Sequence, residues 1–90
     1  MNVVALTTDL MDRSKLTSAI PGLSFTLTAD ADVVIVDLAR DPDLGTIRAA
    51  APKARIVAYG PHVDDFTSAD ADVVLPRSRF FRDPLAATMR

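Results

Sequence analysis

The chain lacks cysteine altogether, so neither a disulfide framework nor a thiolate metal site is open to it, and one histidine, His62, cannot build a histidine-rich site. It also lacks a basic block. Arg48, Lys53 and Arg55 are scattered, only Arg77, Arg79 and Arg82 gather near the C-terminus, and the formal charge is −2, a balance that speaks against a nucleic-acid partner. No window approaches the roughly 20 apolar residues of a membrane-spanning helix, and Met1 to Leu10 contains no basic leader. The expectation is a cytoplasmic protein stabilised by packing, with no metal, no cofactor and no membrane or nucleic-acid partner.

What is present is an ordinary folded composition: 90 residues, 49% hydrophobic and 24% charged, enough for one domain over residues 1–90 and too few for two. Val3 to Leu6 is a short apolar run that stops at Thr7, Thr8 and Asp9, which reads as a first strand followed by a helix cap. With Asp9 as N-cap, Asp12 falls at the third helical position and suits the helix dipole, while Leu16, Ala19 and Ile20 share a face. Pro21-Gly22 ends that helix. Leu23, Phe25 and Leu27 alternate with Ser24, Thr26 and Thr28, the period of a second, edge strand.

Val33 to Val36 is apolar without alternation and β-branched, as in a strand covered on both faces of a parallel sheet. In Asp41-Pro42-Asp43 an N-cap acceptor, a proline and a first-turn acid follow in the order that starts a helix. Leu44, Ile47 and Ala51 form the apolar face of that helix, and Pro52 closes it. Arg55 to Tyr59 reads as a fourth strand broken by Gly60-Pro61, and Asp72 to Leu75 as a fifth. Asp83-Pro84 repeats the helix-start signal for a last short helix carrying Leu85 and Met89. Thr28-Ala29-Asp30-Ala31-Asp32-Val33-Val34 returns almost unchanged as Ser68 to Val74; without a third copy, this is a way of leading into a buried strand rather than a functional repeat.

In an open parallel sheet, ligands gather beyond the carboxyl ends of the strands. The residues delivered there are Thr7, Thr8 and Asp9, then Asp37 and Arg40, then Gly60 and His62, and finally Arg77, Ser78 and Arg79. His62 has no serine or cysteine nucleophile paired with it by sequence, so it reads as a surface or capping residue before a general base.

Val33-Val34-Ile35-Val36-Asp37-Leu38, followed by Asp41, Asp43 and Gly45, resembles the third strand and acidic loop of the receiver domains of bacterial response regulators, and the likeness of order and spacing runs from Val3 to the final helix. The resemblance implies a flavodoxin-like α/β sandwich of three layers, with five mostly parallel strands in the order 2-1-3-4-5. It makes Asp37 the equivalent of the phosphoacceptor. It also implies a carboxylate pair after the first strand to hold Mg²⁺, a hydroxyl after the fourth and a lysine after the fifth. This chain has Thr7 and Thr8, Gly60, and Arg77 followed by Ser78 at those places, and Asp9 would rescue at most one metal ligand. Arginine favours bidentate carboxylate contacts, so a standing Asp37–Arg77 ion pair is expected in place of phosphorylation.

Only Ala29-Asp30-Ala31 separates the second strand pattern from the third, where a parallel crossover needs about ten residues or more, and Pro61 to Ala71 has room for only a turn or two of helix. Helices two and four of the receiver pattern are therefore expected to be missing or reduced. The sheet face they would cover then calls for a partner, and a two-fold homodimer through Val63, Phe66, Phe80 and Phe81 is expected, the alternative being that the two links fold over that face within one chain. The expected function is a non-enzymatic pseudo-receiver acting as a protein-interaction or signalling module. Two alternatives are an anion or small-ligand sensor at the strand ends and a phosphoacceptor receiver still active through Asp37.

Overall fold

The computed structural model describes residues 1–60 and 71–89. Strands β1 (Val3–Leu6), β2 (Val33–Asp37), β3 (Arg55–Gly60) and β4 (Val73–Pro76) form one all-parallel sheet in that spatial order. Val33 pairs with Val3 on one side and Arg55 on the other, and all five residues of β2 are buried. A continuous apolar strand is stable only where both faces are covered. Both are: helix α1 (Leu10–Ala19), helix α3 (Arg77–Arg82) and helix α4 (Pro84–Thr88) lie over one face, and helix α2 (Leu44–Ala50) over the other.

Pleating sorts the core residues. Val3, Ala5, Val33, Ile35, Val57, Tyr59 and Leu75 meet Leu16, Ile20, Phe80 and Ala87, whereas Val4, Val34, Val36, Ile56 and Ala58 meet Ile47, Ala51, Ala54 and Ala31. The caps follow the sequence. The Asp9 carboxylate accepts from the Asp12 N–H at 3.1 Å to open α1, and Gly22, in the left-handed region at φ 74°, turns the chain after it. The Asp83 carboxylate accepts from the Ala86 N–H at 3.2 Å with Pro84 in the first turn of α4.

The expected second strand is reduced to a single parallel bridge between Ser24 and Val4: the Ala5 N–H donates to the Ser24 carbonyl and the Ser24 N–H to the Val3 carbonyl. Leu23 and Phe25 pack on the α1 side and Leu27 on the α2 side, so this alternating segment contributes its apolar residues but no extended ladder. No helix lies between it and β2. The region expected to hold the remnant of helix four, Pro61 to Ala71, lies outside the described residues apart from Ala71.

Three boundaries differ from those read in the sequence. The Asp37 side chain accepts from the Ala39 N–H at 3.0 Å and starts a 3-10 turn over Leu38–Arg40, which Asp41 closes in the left-handed conformation at φ 51°. Asp43 is therefore the cap of α2, accepting from the Thr46 N–H at 3.1 Å. The fifth expected strand runs Val73–Pro76, one residue later than read, and Arg77 passes directly into α3, a helix without a side-chain cap bond. Phe80 on that helix is fully buried, so it is a core residue and not the interface residue expected. Phe81 is half-buried beside it, while Val63 and Phe66 lie outside the described residues. Val4, Val34, Val36, Ile56 and Ala58 are buried within one chain, with Leu27, Ala31 and α2 packed over them. The homodimer expected through an uncovered sheet face finds no such face among the described residues.

The sequence echo has a structural counterpart. Asp32 accepts from the Asn2 N–H at 2.7 Å and its own N–H donates to the Asn2 carbonyl at 2.8 Å. Asp72 does the same with Ile56: its carboxylate accepts from the Ile56 N–H at 2.8 Å, and its N–H donates to the Ile56 carbonyl at 2.9 Å. Each aspartate, one residue before its strand, holds the neighbouring chain by a two-bond grip that sets where parallel pairing begins. Arg48 adds to the second grip at 2.9 Å from Asp72, and Asp72 is held below the usual carboxylate range by the Ile56 N–H first and Arg48 next.

Candidate strand-end site

The carboxyl ends of β1, β2 and β3 bring together Thr7, Asp37, Tyr59 and Gly60. Thr7 and Asp37 are both buried, and the Thr7 hydroxyl donates to the Asp37 carboxylate at 3.4 Å while accepting from the Asp9 N–H at 3.3 Å. Thr8 is exposed. The cation nearest Asp37 within ion-pair range is Arg40, whose Nε lies 3.9 Å from Asp37 and whose Nη2 lies 4.0 Å from Asp9. Asp37 is thus enclosed by a hydroxyl, the Ala39 backbone N–H and an exposed guanidinium.

Arg77 does not turn to Asp37. Its guanidinium binds Asp12 through both terminal nitrogens, Nη1 at 2.8 Å and Nη2 closer still. The Tyr59 hydroxyl donates to the same carboxylate at 2.9 Å. Asp12 is fully buried on the inner face of α1, one turn before Leu16. A buried carboxylate without a cation is costly, whereas Asp37 already has Thr7, Ala39 and Arg40. The demand for charge therefore lies at Asp12. Burial works against the Asp12 charge, but the hydrogen bonds from Arg77 and Tyr59 and the field of Arg77 outweigh it, and the carboxyl is held below its usual range. Burial first, and Asp12 after it, keep the Tyr59 phenol protonated well beyond its usual range, so Tyr59 is a permanent donor.

An aromatic cluster backs this pair. The Tyr59 and Phe80 rings stack at 4.7 Å, Phe81 meets both edge-on at 4.9 and 5.0 Å, and the Arg77 guanidinium lies 4.9 Å from the Phe81 centroid. Gly60 closes the site on the β3 side. A Cβ there would come within 3.1 Å of the Leu38 Cβ, tighter than ordinary packing. Ser78 is exposed on α3, and His62 lies outside the described residues. No cluster of three His, Cys, Asp or Glu side chains suited to a metal ion occurs among the described residues.

Of the residues expected at this site, Thr7, Asp37, Gly60 and Asp9 converge, while Arg77 is diverted. Asp12 and Tyr59 were missing from the expected set. Asp12 carried a readable signal: it sits four residues before Leu16, on the same helical face as Leu16 and Ile20, and an acid on a buried stripe calls for a partner. Arg77 was the arginine to assign.

Set against known proteins, the chain matches no family model, no curated protein and no solved structure. No helix among the described residues is long and apolar enough to cross a membrane.

Proposed function

We propose that this chain is a non-enzymatic, receiver-like interaction module that works without phosphorylation at Asp37. The four-stranded all-parallel sheet is compatible with a flavodoxin-like arrangement, and the single parallel bridge from Ser24 to Val4 of β1 supports that reading. The observation that carries the reading is the diversion of Arg77. In a phosphoacceptor site the cation after the last strand must be free to meet a new phosphoryl group, and here both of its terminal nitrogens are engaged by Asp12. Two further features support it. The Thr7 hydroxyl stands against Asp37 where a metal-binding carboxylate would be needed, and Leu38 fills the space a hydroxyl side chain at Gly60 would use.

The test is fluorine NMR of the chain with beryllofluoride and Mg²⁺. The expected spectrum holds only free fluoride species. A bound resonance that disappears in Asp37→Asn would mean an active phosphoacceptor, and amide shifts at Thr8 and Arg40 with phosphate alone would mean an anion sensor. The homodimer belongs to the same proposal only as a form the module takes through residues other than the covered sheet faces, and light scattering over a dilution series measures it directly.

A further inference from the structure

The 3-10 turn over Leu38–Arg40 lies between the end of β2 and the start of α2, and Ala39, Arg40 and Asp41 are exposed on it. Leu38, half-buried, anchors it: its side chain joins the core on the α2 side and fills the space beside Gly60, where a Cβ would come within 3.1 Å of the Leu38 Cβ. Two hydrogen bonds hold the backbone. The Asp37 Oδ1 accepts from the Ala39 N–H at 3.0 Å, and the Asp41 N–H donates to the Leu38 carbonyl at 3.1 Å. Both ends of the segment are fixed, by the β2 ladder at Asp37 and by the Asp43 carboxylate on the Thr46 N–H of α2.

The turn is closed against the preference of its own last residue. Asp41 stands at φ 51° and ψ 57°, the one non-glycine residue with positive φ among the described residues. There the Cβ of an L-residue crowds the following carbonyl, which disfavours the conformation by about tenfold or more, although aspartate bears it better than most. Pro42 follows, and a proline ring drives the residue before it toward extended backbone. Contacts outside Asp41 therefore keep the turn shut. Asp37 supplies two of them from one carboxylate: Oδ1 holds the Ala39 N–H, and Oδ2 lies 3.9 Å from the Arg40 Nε at the far end of the turn.

We infer that the Leu38–Asp41 turn is a strained lid on the strand-end site, latched by the Asp37 carboxylate and driven open by the relaxation of Asp41 to extended backbone. Closed, it leaves Asp37 only 3% exposed. Open, it withdraws Leu38 from Gly60 and uncovers the carboxylate. The turn and any cationic group arriving at Asp37 draw on the same two oxygens, so the two events are coupled: a group that takes the carboxylate loosens the turn, and a change that tightens the turn weakens that group by the same factor. Strain held at one residue by its surroundings is what such a two-position element requires. The lid is independent of the reading of the chain as an interaction module, which an unstrained, fixed turn would leave as it is.

The experiment is amide hydrogen exchange by NMR on the full chain and four variants, Asp41→Gly, Asp41→Val, Asp37→Asn and Asp37→Ala, each rate corrected for its local sequence. The amides of residues 39 and 41 are expected to exchange faster than those of β2 and β3, as a segment that opens on its own does. Glycine accepts the left-handed conformation and a β-branched residue does not, so Asp41→Val is expected to exchange at these two amides at least about tenfold faster than Asp41→Gly. Asp37→Ala is expected to speed both amides and to move the carbon shifts of Asp41 from left-handed toward extended values, with Asp37→Asn between it and the parent because a neutral oxygen accepts more weakly. Asp41 is exposed, and unchanged exchange in β2 and β3 checks that each variant is folded. Equal rates in Asp41→Gly and Asp41→Val would overturn the strain, and turn amides as slow as those of the strands would overturn the separate opening. An Asp37→Ala variant whose turn amides and Asp41 carbon shifts match the parent would overturn the latch.

Discussion

The guanidinium of Arg77, at the first residue of α3, spans the gap to α1 and closes on the buried carboxylate of Asp12. Removing the cation leaves Asp12, among the described residues, with the hydrogen bond from the Tyr59 hydroxyl and the weaker field of Lys15. A fully buried pair broken in this way costs about 3–5 kcal/mol, but Arg77 is 37% exposed and water offsets part of the loss. Arg77→Met is therefore expected to destabilise by about 2–3 kcal/mol in urea unfolding. Asp12→Leu combined with Arg77→Met is expected to recover most of it, since an apolar pair of similar volume needs no compensation. A double variant no better than Arg77→Met alone would show that the pair is peripheral to stability.

The same pair sets an acid limit. Asp12 is held below its ordinary value of 3.8, so its contribution is complete above that value and disappears as pH falls through the lower folded-state value. In Arg77→Met the sign reverses: burial, no longer outweighed, raises the carboxyl, and the penalty is then greatest at neutral pH and shrinks in acid. The difference in unfolding free energy between the two proteins is expected to narrow below about pH 4. A gap independent of pH would remove Asp12 as its origin.

Asp32 and Asp72 make equivalent grips on Asn2 and Ile56. Asp32→Ala and Asp72→Ala are each expected to lose about 1 kcal/mol, the worth of a charge-assisted bond at a half-exposed site, with Asp72→Ala the larger because it also breaks a 2.9 Å contact with Arg48, where the cation beside Asp32, Lys53, stands 3.9 Å away. Denaturant slopes are expected to stay unchanged. Equal stability of both variants with the parent would make the echo a coincidence of sequence.

Phe80 is the largest test of the core beside Tyr59. Phe80→Ala is expected to cost about 3–5 kcal/mol and to weaken the near-ultraviolet signal of Tyr59, its stacking partner. A soluble Phe80→Asp variant with unchanged melting would instead return Phe80 to a surface role.

Much of the fold was legible because the strands are short apolar runs and the helix starts are written in Asp9 and Asp83, while the start of α2 was read two residues early, at Asp41 in place of Asp43. Val33 to Val36 could only be a covered parallel strand, and it is. The second strand misled because alternation in Leu23, Phe25 and Leu27 describes which side chains are buried, not whether a ladder forms; here Leu23 and Phe25 pack on one face of the sheet and Leu27 on the other, with a single bridge at Ser24. The helix at Arg77–Arg82 carries no cap side chain and no clear apolar period, so nothing local announced it. At the site, Thr7 and Asp37 were legible from strand ends. The partner of Arg77 was not, because Asp37 and Asp12 are both buried and the choice between them depends on which carboxylate already has other partners, a property of packing.

The grips made by Asp32 and Asp72 sit at the amino ends of the strands, and the Asp12–Arg77 contact sits near the carboxyl ends. Alignment of the sheet and docking of the helices are therefore governed separately. An injury to Asp12 or Arg77 would loosen the docking of α3 on α1 while every strand kept its neighbour and its register.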